Sequence, residues 1–173
     1  MAKVYDSEEG YDLWADFYDE KEAFLDSFEE EAIYKFLGDI KGKTLLDIGC
    51  WTGRTVRKAL VLGAKVTGLD VSEKMLGKAR ENFPRADFLK GDIADLPFED
   101  ESFDIVTATF VIVHLHDLME AFDEVYRVLK PGGVFVLSNI NQRKAPKLKI
   151  SQKEEIVISS VYHRPANVIK ALE

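Results

Sequence analysis

The sequence predicts an α/β chain built on a doubly wound, mainly parallel sheet with helices on both faces. Three observations predict it. Short apolar runs alternate with amphipathic stretches, a glycine-containing turn follows the first run directly, and acids stand at the tips of three successive runs.

Asp19 to Leu37 reads as an amphipathic helix. Phe24, Leu25, Phe28, Ala32, Ile33, Phe36 and Leu37 recur at helical spacing, and Glu20, Glu22, Glu29, Glu30 and Glu31 form a solvated face. Gly38 is a natural stop. The period then changes. Lys43 to Ile48 is a short apolar run of the kind buried on both faces. Lys65 to Leu69, Ala86 to Leu89, Phe103 to Thr109 and Val134 to Ser138 are further strands. Helices are expected from Gly53 to Leu62, Ser72 to Asn82 and Asp117 to Leu129, with Ser72 an N-cap and Lys130-Pro131-Gly132-Gly133 a turn. Alternating strands and helices with right-handed crossovers give a parallel sheet, whose ligands sit beyond the carboxyl ends of its strands. Asn139 to Lys153 reads as loop, Glu155 to Tyr162 as a strand, and Ala166 to Leu172 as a last helix opened by Pro165. A single domain over 1–173 is expected, with a helical cap at 1–38, a core at 39–139 and a C-terminal loop, strand and helix at 140–173.

Composition narrows the function. At 173 residues, with 46% hydrophobic and 31% charged residues, the chain has the balance of one soluble globular domain. No apolar run reaches the roughly 20 residues of a membrane span, and the first residues lack a secretion signal. The sole cysteine, Cys50, excludes an intrachain disulfide, and a cytoplasmic setting without membrane contact is expected. The net charge of −8 disfavours nucleic acid. The basic stretch Arg143 to Lys149 reads as a solvated loop, because no aromatic residues interleave with its charges. The acidic run of the first helix contains no His, and no metal site is expected.

The turn Asp47-Ile48-Gly49-Cys50-Trp51-Thr52-Gly53-Arg54 precedes a helix, where glycines allow close backbone approach and the helix start offers N–H groups. A dinucleotide fingerprint is excluded, because Trp51 and Arg54 stand where its second and third glycines belong. A P-loop is excluded by the missing Gly-Lys-Ser/Thr. Asp70, at the second strand tip, suits either ribose hydroxyls or a helix N-cap. Asp92, at the third, suits either an adenine amino group or a turn. Acids at three successive tips on one edge, Asp47, Asp70 and Asp92, exceed what turn chemistry explains.

In this order the motifs resemble the class I S-adenosylmethionine-dependent methyltransferases, especially the small-molecule group related to ubiquinone-biosynthesis enzymes. The resemblance runs from about Tyr11 to Ser138. It rests on Tyr11-Asp-Leu-Trp-Ala-Asp-Phe-Tyr18-Asp19, the glycine turn, Leu69-Asp70-Val71-Ser72, Gly91-Asp92-Ile93, Asp95 to Val106, and Arg127-Val-Leu-Lys-Pro-Gly-Gly133. It implies a Rossmann-like fold, S-adenosyl-L-methionine as cofactor, S-adenosyl-L-homocysteine as product and a small-molecule acceptor. Asp47, Gly49, Cys50 and Gly53 would surround the methionine part, and Asp70 would hold the ribose. Val71 and Met75 would lie against adenine, Asp92 and Ile93 at its edge, Thr109 and Phe110 near the methyl group, and Tyr18 over the site.

Two departures stand out. Trp51 replaces the glycine usual in this turn, so its indole either shields the cofactor or packs outward on a neighbouring helix. The terminal hairpin that family members add to the sheet is also absent, which suggests a shortened form. The fifth strand would then be an exposed edge unless Glu155 to Tyr162 covers it or a second copy pairs with it. Displacement at a sulfonium needs alignment first, and a general base only for an acceptor that keeps its proton. His114, after the fourth strand, is the candidate base, set against a structural role; His116 is read as part of the cap before Asp117, and Cys50 as a turn residue. A non-catalytic S-adenosylmethionine-binding module and, on fold class alone, an NAD-dependent oxidoreductase are the alternatives.

Overall fold

The computed structural model describes residues 2–140, 143–151 and 154–173, and in its first helix the side chains of residues 20–31 fall outside that description. The chain runs β1 (Lys3–Tyr5), α1 (Ser7–Leu37), β2 (Thr44–Ile48), α2 (Arg54–Val61), β3 (Lys65–Asp70), α3 (Glu73–Asn82), β4 (Asp87–Lys90), β5 (Phe103–Thr109), α4 (Leu118–Val128), β6 (Leu129–Ser138), β7 (Lys147–Lys149), β8 (Glu155–Ile158) and α5 (Pro165–Leu172).

Five strands form one parallel sheet in the order β4-β3-β2-β5-β6. Residues of period two explain why helices cover both faces. Leu45, Val66 and Ile105 point into a core shared with Tyr34 and Leu37 of α1, Val56 and Ala59 of α2 and Leu76 of α3. Leu46, Leu69 and Val106 point the other way, into a core shared with Phe122 and Val125 of α4 and Val168 of α5. Leu118, Ala121, Phe122, Val125 and Val128 are the buried stripe of α4, and Asp117 caps it by accepting from the Met119 N–H at 2.8 Å. The strand order reverses between β2 and β5, and a ligand crevice belongs beyond their carboxyl ends.

Several boundaries differ from the sequence reading. α1 starts at Ser7 rather than Asp19, capped by Asp6, whose carboxylate accepts from the Glu9 N–H. The amphipathic pattern read at Phe24, Leu25 and Phe28, and the solvated face at Glu20, Glu22 and Glu29 to Glu31, lie outside the described side chains. The Lys130 to Gly133 turn is absorbed into β6, whose register jumps from Phe103↔Leu129 to Ile105↔Val134 with Gly132 at φ 76°. The segment read as loop contains β7. Strand β8 does not pair with β6, which has no strand on its outer side among the described residues; β8 pairs with β7 and with β1 in a separate three-stranded sheet, β1-β8-β7. His116 does not cap α4, because the neighbouring Asp117 carboxylate takes that role. No helix among the described residues is long and apolar enough to cross a membrane.

Candidate active site

The turn after β2 is pulled tight over the sheet. Gly49 and Cys50 both donate to the Leu69 carbonyl, at 2.8 and 3.0 Å. Gly49 sits at φ 64°, and any Cβ there would collide with the Val111 side chain. Trp51 follows at φ 49°, a left-handed conformation that costs a side-chain-bearing residue about 1–2 kcal/mol. Its N–H points at Asp70 Oδ2 (2.8 Å), and the Ser72 N–H points at Asp70 Oδ1 (2.9 Å). Asp70 is thereby fixed at the floor of a cleft of about 570 Å³, open solvent at its mouth included. Asp70, Val71, Asp92, Ile93, Gly49, Trp51, Phe110 and His114 are among its walls. Burial pushes the Asp70 carboxyl up to about 6, against the three backbone N–H groups of Ser72, Trp51 and Val71 that favour its charged form.

Helix α1 crosses the mouth of this cleft because polar residues on one stretch reach partners on the core. Asp12 accepts from Ser72 Oγ (2.5 Å) and the Lys74 N–H (3.2 Å), Glu8 pairs with Lys90 (2.6 Å), and Asp19 accepts from Thr52 Oγ1 (2.7 Å). On the other side of α1, Trp14 and Tyr18 pack with Trp51 and Met75 against Ile156 and Ile158 of β8. A second cavity, of about 600 Å³ counted the same way, opens among these rings. Its lining includes Tyr11, Trp14, Tyr18, Trp51, Phe110 and His114, with Leu148 and Ile158 from the C-terminal sheet. Tyr11, Trp51, Phe110 and His114 line both cavities and form the wall between them. Phe110, at φ 56°, is a second left-handed non-glycine residue in that wall. Strain of this kind is held only where the surroundings over-determine the conformation.

His114 is held at both ring nitrogens. Nδ1 lies 2.9 Å from the Ser159 carbonyl oxygen and Nε2 lies 3.0 Å from Tyr11 Oη. Burial pushes its imidazolium pKa down, and the Ser159 carbonyl only partly offsets that. The C-terminal segment thus joins the site, and the Val161 N–H to Val113 carbonyl bond (2.6 Å) and His163 Nε2 at 2.8 Å from the Leu115 carbonyl extend the seam.

Of the residues singled out from sequence, Gly49, Asp70, Val71, Asp92, Ile93, Phe110 and His114 line the first cleft, and Tyr18 lines the second. Asp92 is exposed and its Oδ1 accepts from the Ala94 N–H at 3.0 Å, so it also shapes its turn. Asp47, Cys50, Gly53, Met75 and Thr109 are brought close but line neither cavity. Asp47 is 1% exposed and accepts from Thr107 Oγ1 at 2.7 Å, beneath the turn rather than in the cleft. Gly53 takes φ 93° at the start of α2, Met75 is fully buried, and Thr109 Oγ1 accepts from Arg54 Nη2 at 3.0 Å. Cys50 is buried and its thiol is pushed up, chiefly by burial, which suits a packing residue rather than a nucleophile. The Trp51 indole does not pack outward; it is 6% exposed, inside the ring cluster, with the Arg54 guanidinium 4.9 Å from its centroid. Tyr11 stood in the N-terminal motif of the sequence but was not singled out as a site residue. Its signal was the i, i+3, i+7 recurrence of Tyr11, Trp14 and Tyr18, hidden by starting the helix too late.

Comparison with known proteins adds the family. The sequence model described as a methyltransferase domain matches residues 46–137. A demethylmenaquinone methyltransferase of Staphylococcus aureus is 38% identical over 134 residues, which cover 71% of this chain and 56% of that protein. One from Chlorobaculum tepidum is 39% identical over 108 residues, covering 61% and 45%. The chain spans about half the length of these curated relatives. A crystal structure of an S-adenosylmethionine-dependent methyltransferase from Mesorhizobium loti shares the fold, with a TM-score of 0.70 at 24% identity over 82% of this chain and 77% of that one. With the glycine turn, the reversed strand order and this match over more than half its length, the chain belongs to the methyltransferase-domain family of class I S-adenosylmethionine-dependent methyltransferases.

Proposed function

We propose that this chain binds S-adenosylmethionine in the first cleft and methylates a small, flat, hydroxylated ring compound held in the second. The observation that carries this reading is that Tyr11, Trp51, Phe110 and His114 line both cavities, which sets a donor held in one beside an acceptor held in the other. The residues fit an adenosyl group. Asp70 keeps lone pairs on both oxygens for a ribose diol, Val71 and Ile93 offer apolar surface to a base, and Asp92 offers an acceptor to its amino group. Gly49 lets the backbone approach the amino-acid end, and Asp47, Cys50, Gly53, Met75 and Thr109 support these groups from behind. When bound, the sulfonium supplies an activated methyl group. The chain's own task is to align the acceptor behind that methyl and exclude water, worth on the order of 7–11 kcal/mol in favourable cases.

The aromatic lining of the second cavity supports a flat apolar acceptor, in keeping with the quinone-type substrate named for the relatives. The net charge of −8 supports a partner other than nucleic acid, and the buried single cysteine supports a cytoplasmic setting. The open edge of β6 supports a homodimer formed through that edge. Calorimetry with S-adenosylmethionine and S-adenosylhomocysteine tests the first cleft. Micromolar binding, roughly −8 kcal/mol, is expected for the wild type with a clear loss in Asp70→Ala. Equal affinity in both proteins would remove Asp70 from the site.

A further inference from the structure

The two cavities differ in where their walls come from. Among the described residues beyond 137, where the methyltransferase-domain match ends, none lines the first cleft, whereas Ile140, Pro146, Leu148, Ile158 and Ser160 all line the second. The C-terminal strands thus add a wall to the second cavity alone. Register fixes which side chains they offer. Strand β7 runs antiparallel to β8, with Leu148 opposite Ile156, Lys147 opposite Val157 and Lys149 opposite Glu155. The period of two turns Leu148, Ile156 and Ile158 toward Trp14, Tyr18 and Trp51, while Lys147 and Lys149 stay exposed. Lys147 pairs there with the Glu155 carboxylate at 3.6 Å.

We propose that Leu148 is the specificity-determining residue that sets how large a ring the second cavity accepts. This rests on the reading of that cavity as the acceptor site. No Asp, Glu, Lys or Arg lines it among the described residues, which leaves shape as the main means of choosing between flat apolar rings. Its aromatic wall is held by successive ring contacts, Trp14 to Tyr18 to Trp51 to Phe110, with centroids 5.3, 5.5 and 6.2 Å apart. Ile158 is held as firmly. It is 4% exposed, and a Cβ on Gly10 of α1 would come within 2.6 Å of its side chain, so it carries the packing of α1 on the sheet. Leu148 is half-buried and stands on a three-residue strand at the edge of its sheet, so its volume can change without moving α1. A ring stacked on the aromatic wall then ends where the side chain at 148 begins. A single methylene in a hydrophobic pocket discriminates between ligands by roughly 10–200-fold, and Leu148→Ala removes more than one.

The test compares wild type, Leu148→Ala, Leu148→Phe and Lys147→Ala on three diols kept reduced: 1,4-dihydroxybenzene, 1,4-dihydroxynaphthalene and 1,4-dihydroxyanthracene. Formation of S-adenosylhomocysteine reads methyl transfer. Binding is read separately by quenching of Trp14 and Trp51, which are the chain's two tryptophans and both line the cavity. Leu148→Ala should raise the ratio of kcat/KM for the three-ring diol to that for the one-ring diol by about 10–100-fold, and Leu148→Phe should lower it by a similar factor. The affinities from quenching should move the same ways. Lys147→Ala, on the outer face of the same strand, should keep the wild-type ratio. Affinity for S-adenosylhomocysteine should stay within about twofold of wild type in every variant, since neither residue lines the first cleft. A ratio that stays put, or that moves in one direction for both Leu148 variants, would overturn the assignment alone. So would a shifted ratio in Lys147→Ala, which would assign the effect to the strand as a whole. Loss of S-adenosylhomocysteine binding in a Leu148 variant would overturn it too, by making β7 a support of the first cleft. A wild type that binds S-adenosylhomocysteine yet neither methylates nor binds any of the three diols would instead contradict the reading of the second cavity, and the size assignment with it.

Discussion

Asp70 links cofactor affinity, stability and pH in one side chain. Burial pushes its carboxyl from 3.8 up to about 6. At 1.36 kcal/mol per unit, holding it ionised in the folded protein costs about 3 kcal/mol. The sign follows from linkage. Between pH 4 and 6 the folded chain holds a proton on Asp70 that the unfolded chain has lost, so the Asp70 contribution lowers stability as pH rises through that window, and the cost is complete above pH 6. Cofactor binding runs the opposite way, since a ribose diol donates to the charged form. At pH 5 roughly a tenth of the sites are ionised, so affinity for S-adenosylhomocysteine should be about tenfold weaker than at pH 8. Asp70→Asn should bind weakly with no such dependence. Its amide also loses one acceptor for the Trp51 or Ser72 N–H, at about 1–3 kcal/mol, so in urea it should be less stable than wild type at pH 4 and close to it at pH 7. Calorimetry and urea unfolding from pH 4 to 8 on both proteins read these slopes. Asp104, drawn down to about 2 chiefly by the Thr44 N–H, titrates below the window, and His114 is common to both proteins. Parallel pH profiles in wild type and Asp70→Asn would refute the argument.

Other perturbations follow from the same geometry. Trp51→Gly should relieve about 1–2 kcal/mol of backbone strain but lose the 3–5 kcal/mol typical of removing a buried large ring, so net destabilisation in urea is expected; a more stable variant would show that the indole contributes no packing. Gly49→Ala should lower both stability and S-adenosylhomocysteine affinity, since φ 64° and the Val111 side chain oppose a Cβ. Wild-type affinity in that variant would mean the turn is free to relax. Arg127 bridges the Leu96 and Phe98 carbonyls to the Glu124 and Asp100 carboxylates. Arg127→Ala should therefore cost about 1–3 kcal/mol in urea unfolding, and an unchanged midpoint would remove it as the tie of the 92–101 loop.

Much of the core was legible because local signals agreed with one another. Short apolar runs bounded by turns became β2 to β5 within a residue or two of the expected bounds, and Ser72 caps α3 as its position suggested. Asp70 was legible for the same reason, at a strand tip before a capped helix. The burial of Asp47 was harder to read, since a carboxylate one residue before the strand end faces into the sheet, where Thr107 meets it. The second cavity was hardest to foresee. It is assembled by long-range contacts, Tyr11 to His114 across 103 residues and His114 to Ser159 across 45, which leave no local periodicity. The pairing of β8 with β1 rather than β6 has the same cause: strand partners far apart in sequence are chosen by packing, here by Ile156 and Ile158 against Trp14 and Tyr18.

A crystal structure with S-adenosylhomocysteine bound tests the central claim most directly. The account predicts the ribose hydroxyls on the Asp70 carboxylate, adenine between Val71 and Ile93, and the sulfur against the wall of Tyr11, Trp51, Phe110 and His114. A ligand whose sulfur faces away from that wall, or one seated outside this cleft, would contradict it.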